Sequence, residues 1–149
     1  VISSMKTALY EKSHETEEHT NRLYSTCIKV ARHFDLTSDE FSDLELLCTL
    51  HDVGKIGVPD GILKYPGPLN KDQWKEMRKH PEIGYRIALA TPELKKVATY
   101  ILSHHEYYDG SGYPKGLSGK DIPLLNRILC VADSFDAMTN DRIYKKFAF

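Results

Sequence analysis

No run of apolar residues in this chain approaches the ~18 needed to cross a bilayer, and the start lacks the charged-then-apolar pattern of a signal peptide. A cytoplasmic domain without membrane contact is expected. Charge of one sign is also missing: 20 Lys and Arg against 21 Asp and Glu leave a net charge of -1. Long DNA or RNA, whose binding rests on many Lys and Arg contacts to phosphates, is therefore excluded as a partner, although a small, locally bound anion is not. Cysteine is scarce. Cys27, Cys48 and Cys130 are odd in number, far apart and set among apolar residues at helical spacing. They read as reduced core cysteines, which excludes a disulfide framework and a thiolate metal site. Seven prolines and nine glycines in 149 residues are too few for a low-complexity or collagen-like chain. Strand signals are scarce too, because apolar and polar residues never alternate for long.

What the chain does have is apolar residues three or four apart in at least five segments, the period of an amphipathic helix. An all-α single domain over residues 1–149 follows. The first segment is predicted as one helix from about Ser4 to His33, with Ala8, Glu15, His19, Leu23, Cys27 and Val30 on one stripe. Thr37 and Glu40 have capping-box spacing and open a helix with Leu44, Leu47, Cys48 and His51 on one face. From Lys55 to Asn70 three prolines and three glycines predict a loop. Asn70 and Gln73 restart a helix with Trp74 and Met77 inward, and His80 before Pro81 marks a bend or a new start. Thr91 as N-cap with Pro92 begins a helix that ends near His104 and His105, and a glycine-rich loop follows. Pro123 opens the last helix, in which Leu125, Leu129 and Asp133 are successive four-residue steps.

Buried imidazoles and carboxylates are costly unless paired or coordinated. On the core-facing stripes or at helix ends stand Glu15, His19, His51, Asp52, His80, His104, His105 and Asp133. Any one alone is an ordinary hydrogen-bonded core residue; the set is explained by metal. Asp52 is the natural bridge, since its two oxygens can each bind one of two ions ~3.5 to 4 Å apart. Imidazoles and carboxylates without thiolate suit iron, manganese, nickel or zinc at more than four coordinate positions, and eight donors can serve two ions or three. His14 and His33 fall outside the set, at the surface or a helix end.

The stretch HDVGK, His51 to Lys55, with an earlier histidine, later histidines and a distal aspartate, resembles the HD superfamily of metal-dependent phosphohydrolases. HHEYYDGSGYPKGLSGKDIP, from His104 to Pro123, is similar to the signature of its HD-GYP group, with Gly112, Tyr113 and Pro114 as the GYP triplet. The resemblance covers residues 15 to 145. It implies an HD-type helical bundle around two or three divalent ions, iron first and manganese next, that hydrolyses cyclic di-GMP to pGpG and in some members to GMP. By the family pattern the eight residues above are ligands, and Glu15 matches members with the additional one.

The same resemblance gives Lys55 the role of general acid or phosphate clamp beside Asp52, and Gly112, Tyr113 and Pro114 the shaping of the site. Arg142 and Lys145 match an R-x-Y-[KR] element expected to recognise guanine or its phosphate. A GGDEF-type domain and an N-terminal sensor or receiver domain are the implied partners. The chain begins at Val1 and stops at Phe149, which reads as an output domain cut from a longer chain and truncated at its C-terminal helices. Two competing functions are a non-catalytic cyclic-dinucleotide receptor and an HD-type nucleotidase. Intact ligands with Lys55 weigh against the first, and the GYP loop with the doubled histidine weighs against the second.

Overall fold

A computed structural model describes residues 1–140; Arg142 and Lys145 lie outside the described residues. Among those described, every regular element is helical, as the periodicity requires. The α-helices are α1 (Ile2–Lys12), α2 (Glu17–Ala31), α3 (Ser38–Leu50), α4 (Asp60–Leu63), α5 (Lys71–Met77), α6 (His80–Leu89), α7 (Ala98–Ser103) and α8 (Leu124–Thr139). Tighter 3-10 turns run over Val53–Gly57, Pro92–Val97 and Gly119–Asp121. No described helix is long and apolar enough to cross a membrane.

The first segment is two helices and not the single one expected. Ser13 is extended, its hydroxyl donates back to the Leu9 carbonyl, and Thr16 caps α2 by accepting the His19 N–H. Local side-chain bonds thus satisfy both free helix ends, and Glu17 and Glu18 complement the positive end of α2. The break shifts the register ahead of it, so that Leu9 is buried and Ala8 exposed. Beyond it the stripe holds through His19, Leu23 and Cys27, with Ala31 buried and Val30 only half so.

The Thr37–Glu40 and Asn70–Gln73 capping boxes form with both reciprocal bonds. Other local expectations need correcting. The stretch after Lys55 is not all loop: it holds the end of a 3-10 turn and the short α4, whose Pro59 sits just before the first turn, where no N–H is needed. Trp74 does not point inward and is 47% exposed. Thr91 does not cap; its hydroxyl donates to the Ile87 carbonyl, and the segment it opens is a 3-10 turn leading into α7. Cys130 sits at the core edge, half-buried.

Leu23 and Cys27 of α2, Leu44, Leu47 and Cys48 of α3, Ile101 of α7 and Leu129 of α8 form the centre of one core. Packed on it, the turn after Asp52 presses against the start of α6. A Cβ on Gly54 would lie 1.8 Å from the His80 carbonyl oxygen and 2.6 Å from the Gly84 nitrogen, so only glycine permits this approach. Gly54→Ala should lower stability by at least the ~1–3 kcal/mol usual for overpacking, read as a fall in the urea midpoint. Gly61→Ala is the control, because a methyl group there meets open space. Equal midpoints in the two variants would show that the turn and α6 are not locked together.

Candidate metal centre

Three imidazoles stand where helices stop. His51 caps the C-terminus of α3, His80 follows α5 and opens α6, and His104 caps α7. Each turns Nδ1 to the carbonyl three residues back: Cys48 at 3.1 Å, Met77 at 2.7 Å and Ile101 at 2.6 Å. A carbonyl only accepts, so the proton sits on Nδ1 and a neutral ring keeps its Nε2 lone pair facing forward. These lone pairs converge. His80 Nε2 is 3.2 Å from His104 Nε2 and 3.1 Å from His105 Nε2, and Asp52 Oδ1 lies 3.2 Å from His80 Nε2 and 3.4 Å from His104 Nε2.

Asp52 Oδ1 is buried and accepts no hydrogen bond. One possible ligand atom from each of Asp52, His80, His104 and His105 lies within 4.8 Å of the others, and those of Asp52, His80 and His104 are acceptors facing one another. Facing acceptors repel unless a cation lies between them, so the residues present fit a divalent ion. Burial lowers the His104 pKa to about 4 and also depresses that of His105, which keeps both neutral at pH 7. Burial opposes the charge on Asp52, yet Lys55, His51 and His104 together hold its carboxyl well below the usual carboxylate range. Burial likewise opposes charge on His51, but Asp52, with Asp133 and Glu15 farther off, raises it to about 9.

A second group of donors adjoins the first. Asp52 Oδ2 is 3.3 Å from His51 Nε2, and His19 Nε2 is 3.4 Å from Glu15 Oε2 and 4.0 Å from Asp133 Oδ1. His51, His104, His105 and Asp133 line one small cavity of about 80 Å³. Lys55 ties the groups together, its ammonium 3.0 Å from Glu15 Oε1 and 2.9 Å from Asp52 Oδ2. Burial works against that charge, but the two carboxylates raise the Lys55 pKa above its ordinary value. The structure therefore brings all eight expected donors into one linked cluster, with Glu15 in the break before α2 and not on a helix. His14 and His33 are exposed, as expected.

The glycine-rich loop folds back over this cluster. A Cβ on Gly112 would lie 2.3 Å from the His105 carbonyl oxygen, and the next N–H, that of Tyr113, donates to the same oxygen. Tyr113, joined to Pro114 by a cis peptide bond, stacks on the His105 ring with centroids 4.9 Å apart.

Two carboxylates in this region escaped the sequence reading. Buried Glu106 accepts the N–H groups of Lys115 and Leu117, at 2.7 and 2.9 Å, and so pins the far side of the loop. Buried Asp136 lies 2.7 Å from His19 Nδ1 and accepts from Arg22 Nε at 3.0 Å, which fixes the His19 ring with Nε2 toward Glu15. Asp136 falls one helical turn after Asp133, and that spacing was the available signal.

The HD domain family model matches residues 3–148. A protein of Thermotoga maritima named cyclic di-GMP phosphodiesterase is 41% identical over 88% of this chain and 36% of its own length. The cyclic di-GMP phosphodiesterase response regulator RpfG of Xanthomonas campestris is 39% identical over 97% of this chain and 39% of its own length. The 3'3'-cGAMP-specific phosphodiesterase 2 of Vibrio cholerae is 40% identical over 97% of this chain and 28% of its own length. The chain thus spans well under half the length of these relatives. With a family match across nearly all its residues and a GYP loop closed over a His and Asp cluster, the chain belongs to the HD domain family, in its HD-GYP group.

Proposed function

We propose that this chain is a metal-dependent phosphodiesterase that opens cyclic di-GMP to linear pGpG. The observation that carries the reading is the unsatisfied, buried Asp52 Oδ1 facing the Nε2 lone pairs of His80 and His104, with the His105 ring beside them beneath the GYP loop. Names of relatives near 40% identity support the substrate class. One ion suits Asp52, His80, His104 and His105; a second suits the other oxygen of Asp52 with His51, His19 and Asp133, and Glu15 is the donor for any third. Imidazole and carboxylate donors without thiolate suit iron, manganese, nickel or zinc, and the HD-GYP resemblance puts iron first, with manganese next.

When bound, such ions supply Lewis acidity toward the phosphodiester and acidify the attacking water. In the reaction a water oxygen bonds to phosphorus, the bond from phosphorus to the ribose 3' oxygen breaks, and that oxygen takes a proton. The chain's own part is to hold this geometry. Gly112 lets the loop approach closely, Tyr113 walls the site against His105, and Asp136 and the backbone carbonyls fix the ring orientations. Lys55 brings a positive charge beside Asp52. Because two carboxylates already hold its ammonium, we assign it to neutralising phosphate charge in preference to donating the proton.

A second reading is the hybrid dinucleotide 3'3'-cGAMP, since a relative of comparable identity is named for it. Initial rates on both dinucleotides at equal concentration, after anaerobic metal analysis, test the proposal directly. Release of pGpG that a chelator abolishes is expected; binding without product would show a receptor instead.

Asp52→Ala should abolish turnover and bring bound metal well below the wild-type ratio, whereas His14→Ala should alter neither. Full activity in Asp52→Ala would overturn the metal assignment. Lys55→Met should slow cyclic di-GMP and bis-p-nitrophenyl phosphate by similar factors, about 10² each, the scale of one lost charged catalytic contact. If only cyclic di-GMP slows, its poor leaving group needs a proton that Lys55 supplies, and the general-acid role stands in its place.

A further inference from the structure

Cyclic di-GMP carries two phosphodiesters on opposite sides of its macrocycle, and the metal centre accounts for only the scissile one. The other calls for a cation, and among the described residues the two cations beside the donor cluster are already committed. Lys55 is held by Glu15 and Asp52, and Arg22 by Asp136 and Glu18. Arg78 differs. It follows α5 at the rim of the site, is exposed, and has no carboxylate partner among the described residues. Its guanidinium carbon lies 5.2 Å from the centre of the Tyr113 ring and 5.9 Å from that of Trp74.

A continuous stack therefore runs inward from solvent: Trp74, 47% exposed, then Arg78, then Tyr113, then His105 of the donor cluster. Two aromatic rings hold the guanidinium by cation–π attraction and restrict its rotamers. They contact it without using its N–H donors, which remain free for a planar, bidentate anion contact. An ordinary surface arginine lacks this preorganisation, and an ordinary exposed tryptophan lacks a reason to stay in water.

We propose that Arg78, steadied by Trp74 and Tyr113, binds the non-scissile phosphate of the cyclic dinucleotide and so sets affinity for two-phosphate substrates. This inference rests on the phosphodiesterase reading above. Trp74 is the sole tryptophan of the chain, so its emission reports on the site in the intact protein.

The test uses the metal-loaded wild type, Arg78→Ala and Arg78→Lys. Steady-state kinetics on cyclic di-GMP and on bis-p-nitrophenyl phosphate, which has a single phosphodiester, are combined with stopped-flow tryptophan fluorescence on mixing with cyclic di-GMP. Arg78→Ala should raise KM for cyclic di-GMP about tenfold, as expected for lost charge-assisted hydrogen bonds, while kcat changes far less. The ratio of kcat/KM for cyclic di-GMP to that for bis-p-nitrophenyl phosphate should fall by the same factor, and Arg78→Lys should recover part of it. In the wild type, mixing should change Trp74 emission at concentrations near KM, and in Arg78→Ala only at higher ones.

An unchanged ratio would overturn the proposal, as would equal losses on both substrates accompanied by lost metal, which would mark Arg78 as structural. Failure of the underlying reading looks different. A wild type that does not cleave cyclic di-GMP, yet whose fluorescence titration weakens about tenfold in Arg78→Ala, would retain the phosphate contact while removing the phosphodiesterase. A wild type that cleaves it, with identical titrations in both proteins, would do the reverse.

Discussion

Everything around the site depends on one unfavourable arrangement held in place: lone pairs of His80 and His104 aimed at each other and at an unsatisfied carboxylate oxygen of Asp52, with the His105 ring packed beside them. Left to themselves, such groups would rotate apart or find donors. They do not, because each of His51, His80 and His104 has its other ring nitrogen committed to a backbone carbonyl of the preceding helical turn. The helices are in turn fixed by the shared core of Leu23, Leu47, Ile101 and Leu129. Apolar burial, which has no directional preference of its own, thus maintains a directional electrostatic device.

Much of this was legible in the sequence for a physical reason. A histidine or aspartate on a stripe of leucines must be buried, and burial of several such groups calls for a common partner. That logic identified His19, His51, Asp52, His80, His104 and His105, and the structure gathers them. It found Glu15 as well, though by a register that does not exist. The four-residue step from Glu15 to His19 continues the stripe of Leu23 and Cys27, while Thr16 caps α2 and leaves Glu15 in the preceding break. The carboxylate still reaches His19, because an extended residue just ahead of a capped helix lies close to its first turn.

What periodicity could not show were residues whose importance lies in whom they hold. Glu106 stands among tyrosines in a loop, and only the fold reveals that two backbone N–H groups converge on it. Asp136 lies one helical turn from Asp133, yet its role shows only once Arg22 and His19 are seen packed against it. Trp74 illustrates the opposite error. Its spacing matches a buried face, but α5 is short and sits at the rim, so that face meets solvent and Arg78.

The placement of His51 and His104 as C-terminal caps, and of His80 at the junction of α5 and α6, has a consequence for how the protein loses its site. Helix termini are where backbone bonds open first and most often, at free energies far below that of global unfolding. Each of these three rings is tethered to a carbonyl of such a terminal turn. Fraying by a single turn would swing a donor atom away, and an ion bound there would oppose that fraying at several termini at once. Loaded with an ion, the centre would clasp helix ends that lie far apart in the sequence. With an ion bound, amide exchange in these last turns would slow, alongside the rise in global stability that any ligand of the folded state brings.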